Sequence, residues 1–181
     1  MLGPCFWLAA ALTGTPHTPL IAAAREGRAA DIAPLVRAGA DANRPAGSNG
    51  WTPLMHAIHK NRKASVSALL DAGADVNRRS ASGLTALIMA AGYGQEDIVR
   101  LLLARGADPK AETGDGVTAL TAAVGGAFDI DRFTIGACQT ATVRALLEKA
   151  PGLRLKPNWR NRAAKIAAHW GGCREVLRLV Q

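Results

Sequence analysis

The strongest constraint on this chain is a repeat of 33 or 34 residues. Threonines open four similar segments at spacings of 34, 33 and 33 residues, at Thr18, Thr52, Thr85 and Thr118. In the first three segments a Gly-Ala-Asp triplet follows 21 residues after the threonine, beginning at Gly39, Gly73 and Gly106. A unit of this length is too short to bury its own apolar face, so the period predicts a stack of repeats that share one continuous core.

The pattern within each segment predicts two antiparallel helices followed by an extended, hairpin-like finger. The threonine hydroxyl suits a helix N-cap, and Pro19 and Pro53 occupy the first helical position, where no N–H is needed. Gly27, Asn61 and Gly94 tolerate the left-handed conformation that ends a helix. The composition is 49% hydrophobic but only 4% aromatic, which favours close-packed helices rich in alanine and leucine over a β-sandwich.

The combination of period and motif resembles the ankyrin-repeat family. The resemblance is carried by Thr-Pro-Leu at 18–20 and 52–54, by the Gly-Trp-Thr, Gly-Leu-Thr and Gly-Val-Thr triplets at 50, 83 and 116, and by the Gly-Ala-Asp triplets. It implies an all-α ankyrin-repeat solenoid of about four helix-turn-helix repeats with hairpin-like fingers. The expected organisation is a single domain, 1–181, with repeats at 18–50, 51–83, 84–116 and 117–151. Residues 1–17 are expected to form an N-terminal cap segment, and residues 152–181 a helical C-terminal cap.

The fourth repeat departs from this pattern. Val143 lies 44 residues after Val99 instead of 33, which indicates an insertion of about 11 residues, Phe128 to Cys138. The insertion either forms a recognition loop or folds its apolar residues back over the edge of the stack, and both interpretations stay open.

The N-terminal residues and the cysteines indicate the cellular compartment of the protein. The apolar run from Pro4 to Leu12 has no preceding Lys or Arg, so we expect a short capping helix there, with a signal segment as the alternative. No later segment is long and apolar enough to predict a membrane span. The three cysteines, Cys5, Cys138 and Cys173, show no Cys-x-x-Cys spacing. This pattern favours a cytoplasmic location, with a secreted or periplasmic one as the alternative.

His56 and His59 form a polar pair that raises the question of a metal site. They lie three residues apart, whereas metal pairs on helices commonly use i, i+4 ligands with further acidic or sulfur ligands nearby. We expect His56 to be a partly buried core residue and His59 to look toward the concave face. No nucleotide-binding loop, nucleophile elbow or zinc-protease motif occurs in the sequence. The sequence therefore predicts no enzyme activity, no catalytic residue, no metal and no cofactor.

The resemblance also implies where a partner would bind. The family's variable contact positions, carried over residue by residue, give Arg25, Trp51, His59, Lys60, Ser82, Leu84, Tyr93 and Asp115. Trp51 and Tyr93 are two of only eight aromatic residues in the chain, and such rings often dominate binding energies. We expect a monomeric, non-catalytic module that binds an unidentified protein or peptide in its concave groove.

A basic C-terminal region offers an alternative. From Glu148 to Gln181 there are eight basic residues and two acidic ones, in a chain of formal net charge +8. Its candidate contacts are Lys156, Arg160, Arg162, Lys165, Arg174 and Arg178. Such a region can attract nucleic acid or another anionic surface. Because a solvated terminal cap has the same composition, we expect a protein partner and not nucleic acid.

Overall fold

The computed structural model describes residues 18–125, 128–129, 132–133, 139–157, 159–161 and 174–179. Its main helices are α1 (Pro19–Glu26), α2 (Ala29–Arg37), α3 (Pro53–His59), α4 (Lys63–Asp71), α5 (Ala86–Gly92), α6 (Glu96–Ala104), α7 (Ala119–Gly125), α8 (Thr140–Lys149) and α9 (Arg174–Leu179). Two short strands, β1 (Phe128–Asp129) and β2 (Arg132–Phe133), pair antiparallel between α7 and α8. The first eight helices follow the predicted order of two helices per repeat.

These helices form two layers. Helices α1, α3, α5 and α7 contact one another in sequence to form an inner layer, and α2, α4, α6 and α8 form an outer layer. Each inner helix also contacts the outer helix of its own repeat. The same core position is filled in all four repeats by a leucine that is 1% exposed, at Leu20, Leu54, Leu87 and Leu120. The core therefore runs through the whole stack, as the period predicts.

The predicted helix caps are confirmed. The hydroxyl of each repeat threonine accepts a hydrogen bond from the backbone N–H three residues later, at Ile21, Met55, Ile88 and Thr121. Gly27, Asn61 and Gly94 have φ angles of +83°, +54° and +67°, the left-handed conformation expected beyond an inner helix. These two signals limit α1, α3 and α5 to about two turns each.

The segments between repeats form the expected fingers, which we define as residues 46–51, 80–84 and 112–118. In the first finger Ala46 and Trp51 make an antiparallel bridge. In the second the Ser80 N–H donates to the Leu84 carbonyl at 2.9 Å. Both fingers place a side chain of interest, Trp51 or Leu84, directly before the threonine that starts the next inner helix. Each finger thus fixes the position of the residue that precedes the next inner helix.

The first two fingers are in direct backbone contact. The Ala81 N–H donates to the Asn49 carbonyl at 3.1 Å. Gly50, next to that carbonyl, has a φ angle of +66°. A Cβ atom at Gly50 would lie 2.9 Å from the Ala81 nitrogen. Glycine therefore serves here for two reasons, the left-handed backbone and the close approach of the neighbouring finger.

Asparagine side chains that precede the first two fingers join successive repeats. Asn43 accepts from the Asp75 N–H at 2.7 Å and donates to the Gly73 carbonyl at 3.3 Å. Asn77 makes the same two bonds to the repeat that follows it, at 2.9 and 3.1 Å. The third repeat has Lys110 at this position, and an ammonium group cannot accept a hydrogen bond. The asparagine bridge therefore stops before the fourth repeat.

A second set of side-chain bonds runs from each outer helix back to the previous repeat. Arg62 and Gln95 each donate to a backbone carbonyl 37 residues earlier. Gln139, at the start of α8, donates to the Gly92 carbonyl, 47 residues earlier. All three hydrogen bonds join the start of an outer helix to the end of the inner helix in the previous repeat, but the third crosses more residues of sequence. The extra residues of the fourth repeat therefore lie between α7 and α8.

The C-terminal part of the chain continues the stack. Helix α9 packs against α8, with Val176 1% exposed and an ion pair between Arg144 and Glu175. Several parts of the chain lie outside the described residues: the N-terminal cap segment 1–17, most of the insertion, and residues 158, 162–173 and 180–181 of the predicted C-terminal cap. None of the described helices has the length and apolar composition needed to cross a membrane.

An ion pair joins the outer helices of the third and fourth repeats. Arg100 Nη1 donates to Glu148 at 2.7 Å. This hydrogen bond, and then the positive charge of Arg100, lower the pKa of Glu148 below its ordinary value of 4.5. Because the folded-state pKa is the lower one, the pair stabilises the fold above pH 4.5. That contribution is lost as the pH falls through the folded-state value.

We expect Arg100→Gln to raise the pKa of Glu148 toward 4.5, because the variant removes the charged hydrogen bond. An NMR titration that follows the Glu148 carboxyl carbon measures the change. Arg105→Gln is the matched control, since Arg105 pairs with Asp71 and not with Glu148, and it should leave the Glu148 titration unchanged. An equal Glu148 pKa in wild type and Arg100→Gln would contradict the pair.

Candidate functional site

The fingers and the inner helices α3, α5 and α7 bound a surface that we call the groove. At its centre lies a cavity of about 330 Å³. The fingers contribute Trp51, Leu84 and Val117 to its lining, the inner-helix segments contribute Tyr93 and Ala122, and the C-terminal region contributes Trp159. The cavity therefore lies where the second, third and fourth repeats meet.

Two residues that line the cavity, Trp51 and Tyr93, belong to a row of packed rings. The Trp51 ring lies 5.2 Å from the ring of His59 and 5.6 Å, edge to face, from that of His56. His59 Nδ1 lies 2.9 Å from the Tyr93 hydroxyl oxygen. Contacts of this kind fix ring orientations before any partner arrives. The row connects the first finger, helix α3 and the end of α5 into one surface.

Five of the eight predicted contact residues line this one cavity. They are Trp51, Ser82, Leu84, Tyr93 and Asp115. Ser82 and Asp115 are exposed, and the other three are partly buried. The fold thus brings together side chains that lie up to 64 positions apart in the sequence.

His59 is more buried than its predicted contact role requires. The residue is only 9% exposed, its ring packs against those of Trp51 and Tyr93, and it is not among the residues that line the cavity. The expected burial of His56, which is 6% exposed, is confirmed. Arg25 and Lys60 are partly buried in the first two repeats and are not among the cavity-lining residues.

Two family models match the sequence. One, described as ankyrin repeats (3 copies), matches residues 6–80, and the other, described as ankyrin repeats (many copies), matches residues 69–123. Together they cover more than half of the chain. The chain belongs to the ankyrin-repeat family. The predicted all-α ankyrin solenoid is therefore confirmed. A search of curated proteins found no match.

Trp159 extends the ankyrin groove beyond the repeats and was not predicted from the sequence. Its Cζ3 atom lies 3.5 Å from the position that a Cβ atom at Gly125 would take. The segment that carries it is anchored by Leu153 and Leu155, which are 8% and 3% exposed. Trp159 lies outside the repeat period, so no register position marks it. The one sequence signal was its rarity, since the chain has four tryptophans.

The charges around the ankyrin groove are arranged unevenly. Among the described residues that line the cavity, Asp115 is the only charged one. The Thr113 hydroxyl donates to Asp115 Oδ1 at 2.6 Å, which holds the carboxylate at the rim. On the same finger, the Glu112 carbonyl accepts from Arg79 and its carboxylate accepts from Lys156. The rim thus keeps one carboxylate that no described Lys or Arg pairs with.

The groove offers rings, aliphatic side chains, hydroxyl groups and one carboxylate. In the part of the chain that the structure describes, no group of three or more His, Cys, Asp or Glu side chains is placed to hold a metal ion. The hydroxyl of Tyr93 and the imidazole of His59 are bonded to each other. This set of groups is suited to contact with another molecule by packing and hydrogen bonding.

Proposed function

We propose that the groove binds a protein or peptide partner, with Trp51, Ser82, Leu84, Tyr93 and Asp115 as its central contacts. Ankyrin repeats are generally protein–protein interaction modules. The observation that supports this location is that these five side chains line one cavity while Trp51 and Tyr93 are only partly buried. Partly exposed, pre-oriented rings are the usual anchors of a protein interface.

The proposed mechanism is rigid display. The groove residues are fixed by the finger bridge at Trp51, by the His59–Tyr93 contact and by the continuous core beneath them. A surface held in this way needs little rearrangement on binding, so the entropy lost by the repeat array is small. We further propose that the chain acts as a cytoplasmic monomer without chemistry of its own.

A peptide selection tests the location. We would select short random peptides that bind the folded chain and measure each by fluorescence polarisation against wild type and Trp51→Ala. We expect Trp51→Ala to weaken binding at least about tenfold, because the variant removes a partly buried aromatic anchor. Trp51→Phe, which keeps a ring against His59, should lose less.

Arg37→Ala, on the exposed side of outer helix α2, is the control and should bind like wild type. If every selected peptide binds Trp51→Ala and wild type equally, the groove is not the binding site. Affinity that instead falls steeply with added salt and survives Trp51→Ala would favour an anionic partner at the basic C-terminal region. We do not favour that alternative, because Lys156 pairs with Glu112 and the Arg154 guanidinium donates to the carbonyls of Pro151 and Leu153.

A further inference from the structure

The cavity in the groove arises from a change in side-chain size along the stack. Seven residues after the repeat threonine, the first two repeats carry Arg25 and His59, whereas the third and fourth carry Gly92 and Gly125. Trp159 covers Gly125, with its Cζ3 atom 3.5 Å from the Cβ position. Gly92 lines the cavity instead. The cavity therefore exists because this chain has glycine at position 92, and it is not a feature of every repeat.

The volume of the cavity limits what it can hold. At about 330 Å³, it lies at the lower end of the roughly 300–1,000 Å³ that small-molecule pockets span. It opens between the second and third fingers, where Ser82 and Asp115 are exposed. A large side chain of a bound peptide matches both the size and the open mouth. Trp51 and Leu84 at the mouth would contact the peptide on either side of that residue.

The charge at the mouth adds a second requirement. Asp115 is fixed by the Thr113 hydroxyl at 2.6 Å, and the nearby cations Arg79 and Lys156 are bonded to Glu112. The chain as a whole carries +8, so the carboxylate at the mouth has the opposite sign to the rest of the molecule. A partner with a positive charge on the same face as its apolar anchor complements this arrangement.

We propose that the groove recognises an extended peptide segment in which a bulky apolar residue fills the cavity and a Lys or Arg two residues away pairs with Asp115. In an extended chain successive side chains point to opposite faces, and residues two positions apart lie on the same face about 7 Å from each other, so a long basic side chain reaches the rim while the apolar one is inserted. The proposal rests on the proposed function and specifies the chemistry of the partner.

A charge-reversal experiment tests the pairing. The probes are labelled synthetic peptides of one scaffold, with Ala, Leu or Phe at the anchor position and Lys, Gln or Glu two residues away. For wild type we expect the Phe–Lys peptide to bind about tenfold tighter than the Phe–Glu peptide. Asp115→Asn should reduce that preference to less than about threefold. Asp115→Lys should reverse it.

Asp97→Lys is the matched control, because it makes the same change in net charge on an exposed part of outer helix α6. It should keep the wild-type order of the peptides. Two variants test the cavity itself. Ala122→Leu fills part of the cavity with a larger side chain. Ser82→Tyr narrows the mouth from an exposed position, so its effect does not depend on repacking the core. Either variant, if folded by circular dichroism, should remove the preference for Phe over Ala.

The outcomes separate this inference from the proposed function. If Asp115→Lys and wild type rank the peptides in the same order of affinity, Asp115 does not pair with a basic residue of the peptide and the inference is overturned. Peptides that still lose affinity with Trp51→Ala in that case leave groove binding intact. If the charge order reverses but the anchor preference survives both Ala122→Leu and Ser82→Tyr, the cavity assignment is overturned.

Discussion

Leu102→Ala is expected to lower the free energy of unfolding by about 2–5 kcal/mol. Leu102 is fully buried in α6, in the third of four stacked repeats. The substitution removes apolar contacts and leaves a cavity that the neighbouring helices cannot fill. Since each repeat is stabilised by its neighbours, the loss in a middle repeat affects both sides of the stack. Urea unfolding followed by circular dichroism at the helix band measures it.

Leu101→Ala is the matched control. The two leucines are adjacent and chemically identical, but Leu101 is only partly buried. We expect Leu101→Ala to cost roughly half as much, because the hydrophobic contribution scales with the area removed from water. Equal losses from the two variants would mean that the outer helix is rotated from the position described above.

Gly50→Ala is expected to destabilise the protein about as much as Leu102→Ala. An alanine there must adopt a φ angle of +66°, which costs about 1–2 kcal/mol for a residue with a Cβ atom. That Cβ atom would also lie 2.9 Å from the backbone nitrogen of Ala81. Forcing the two fingers apart adds about 1–3 kcal/mol. The total expected loss in unfolding free energy is about 2–5 kcal/mol.

Gly47→Ala separates the two causes. Gly47 lies in the same finger with a similar φ angle of +76°, but its Cβ atom would meet only the side-chain oxygen of Asn49, at 3.3 Å. We expect it to lose only the backbone term of about 1–2 kcal/mol, measured by the same urea unfolding. If Gly47→Ala and Gly50→Ala lose equal stability, the close contact between fingers makes no energetic difference.

The repeat period made the local structure predictable. Thr85 and Gly94 act through bonds and backbone angles within one repeat, so their roles follow from sequence position alone. The same holds for the placement of five of the eight predicted contact residues around one cavity, because the family pattern fixes which finger and helix residues face one another. The repeat boundaries and the domain limits remain predictions.

The remaining features depend on contacts that the period does not encode. His59 occupies a groove position, yet its burial depends on two rings, Trp51 and Tyr93, that other repeats lack. Trp159 reaches the cavity from a segment with no repeat register. The hydrogen bond from Gln139 to the Gly92 carbonyl could not be predicted, because the sequence shows an insertion but not which helices stay packed together around it. Each of these requires knowing the distance between residues far apart in the chain.

The asparagine bridges determine where this protein could grow by duplication. If residues 51–83 were copied in tandem, Asn77 of the first copy would meet a Gly73 carbonyl and an Asp75 N–H, the same pair that Asn43 meets now. The new junction would need no further mutation at these positions. A unit added after the third repeat would instead face Lys110, which offers no acceptor, and would stack without this bridge, as the fourth repeat does. Duplication of the second repeat therefore keeps the asparagine bridge, whereas a unit inserted after the third repeat begins without it.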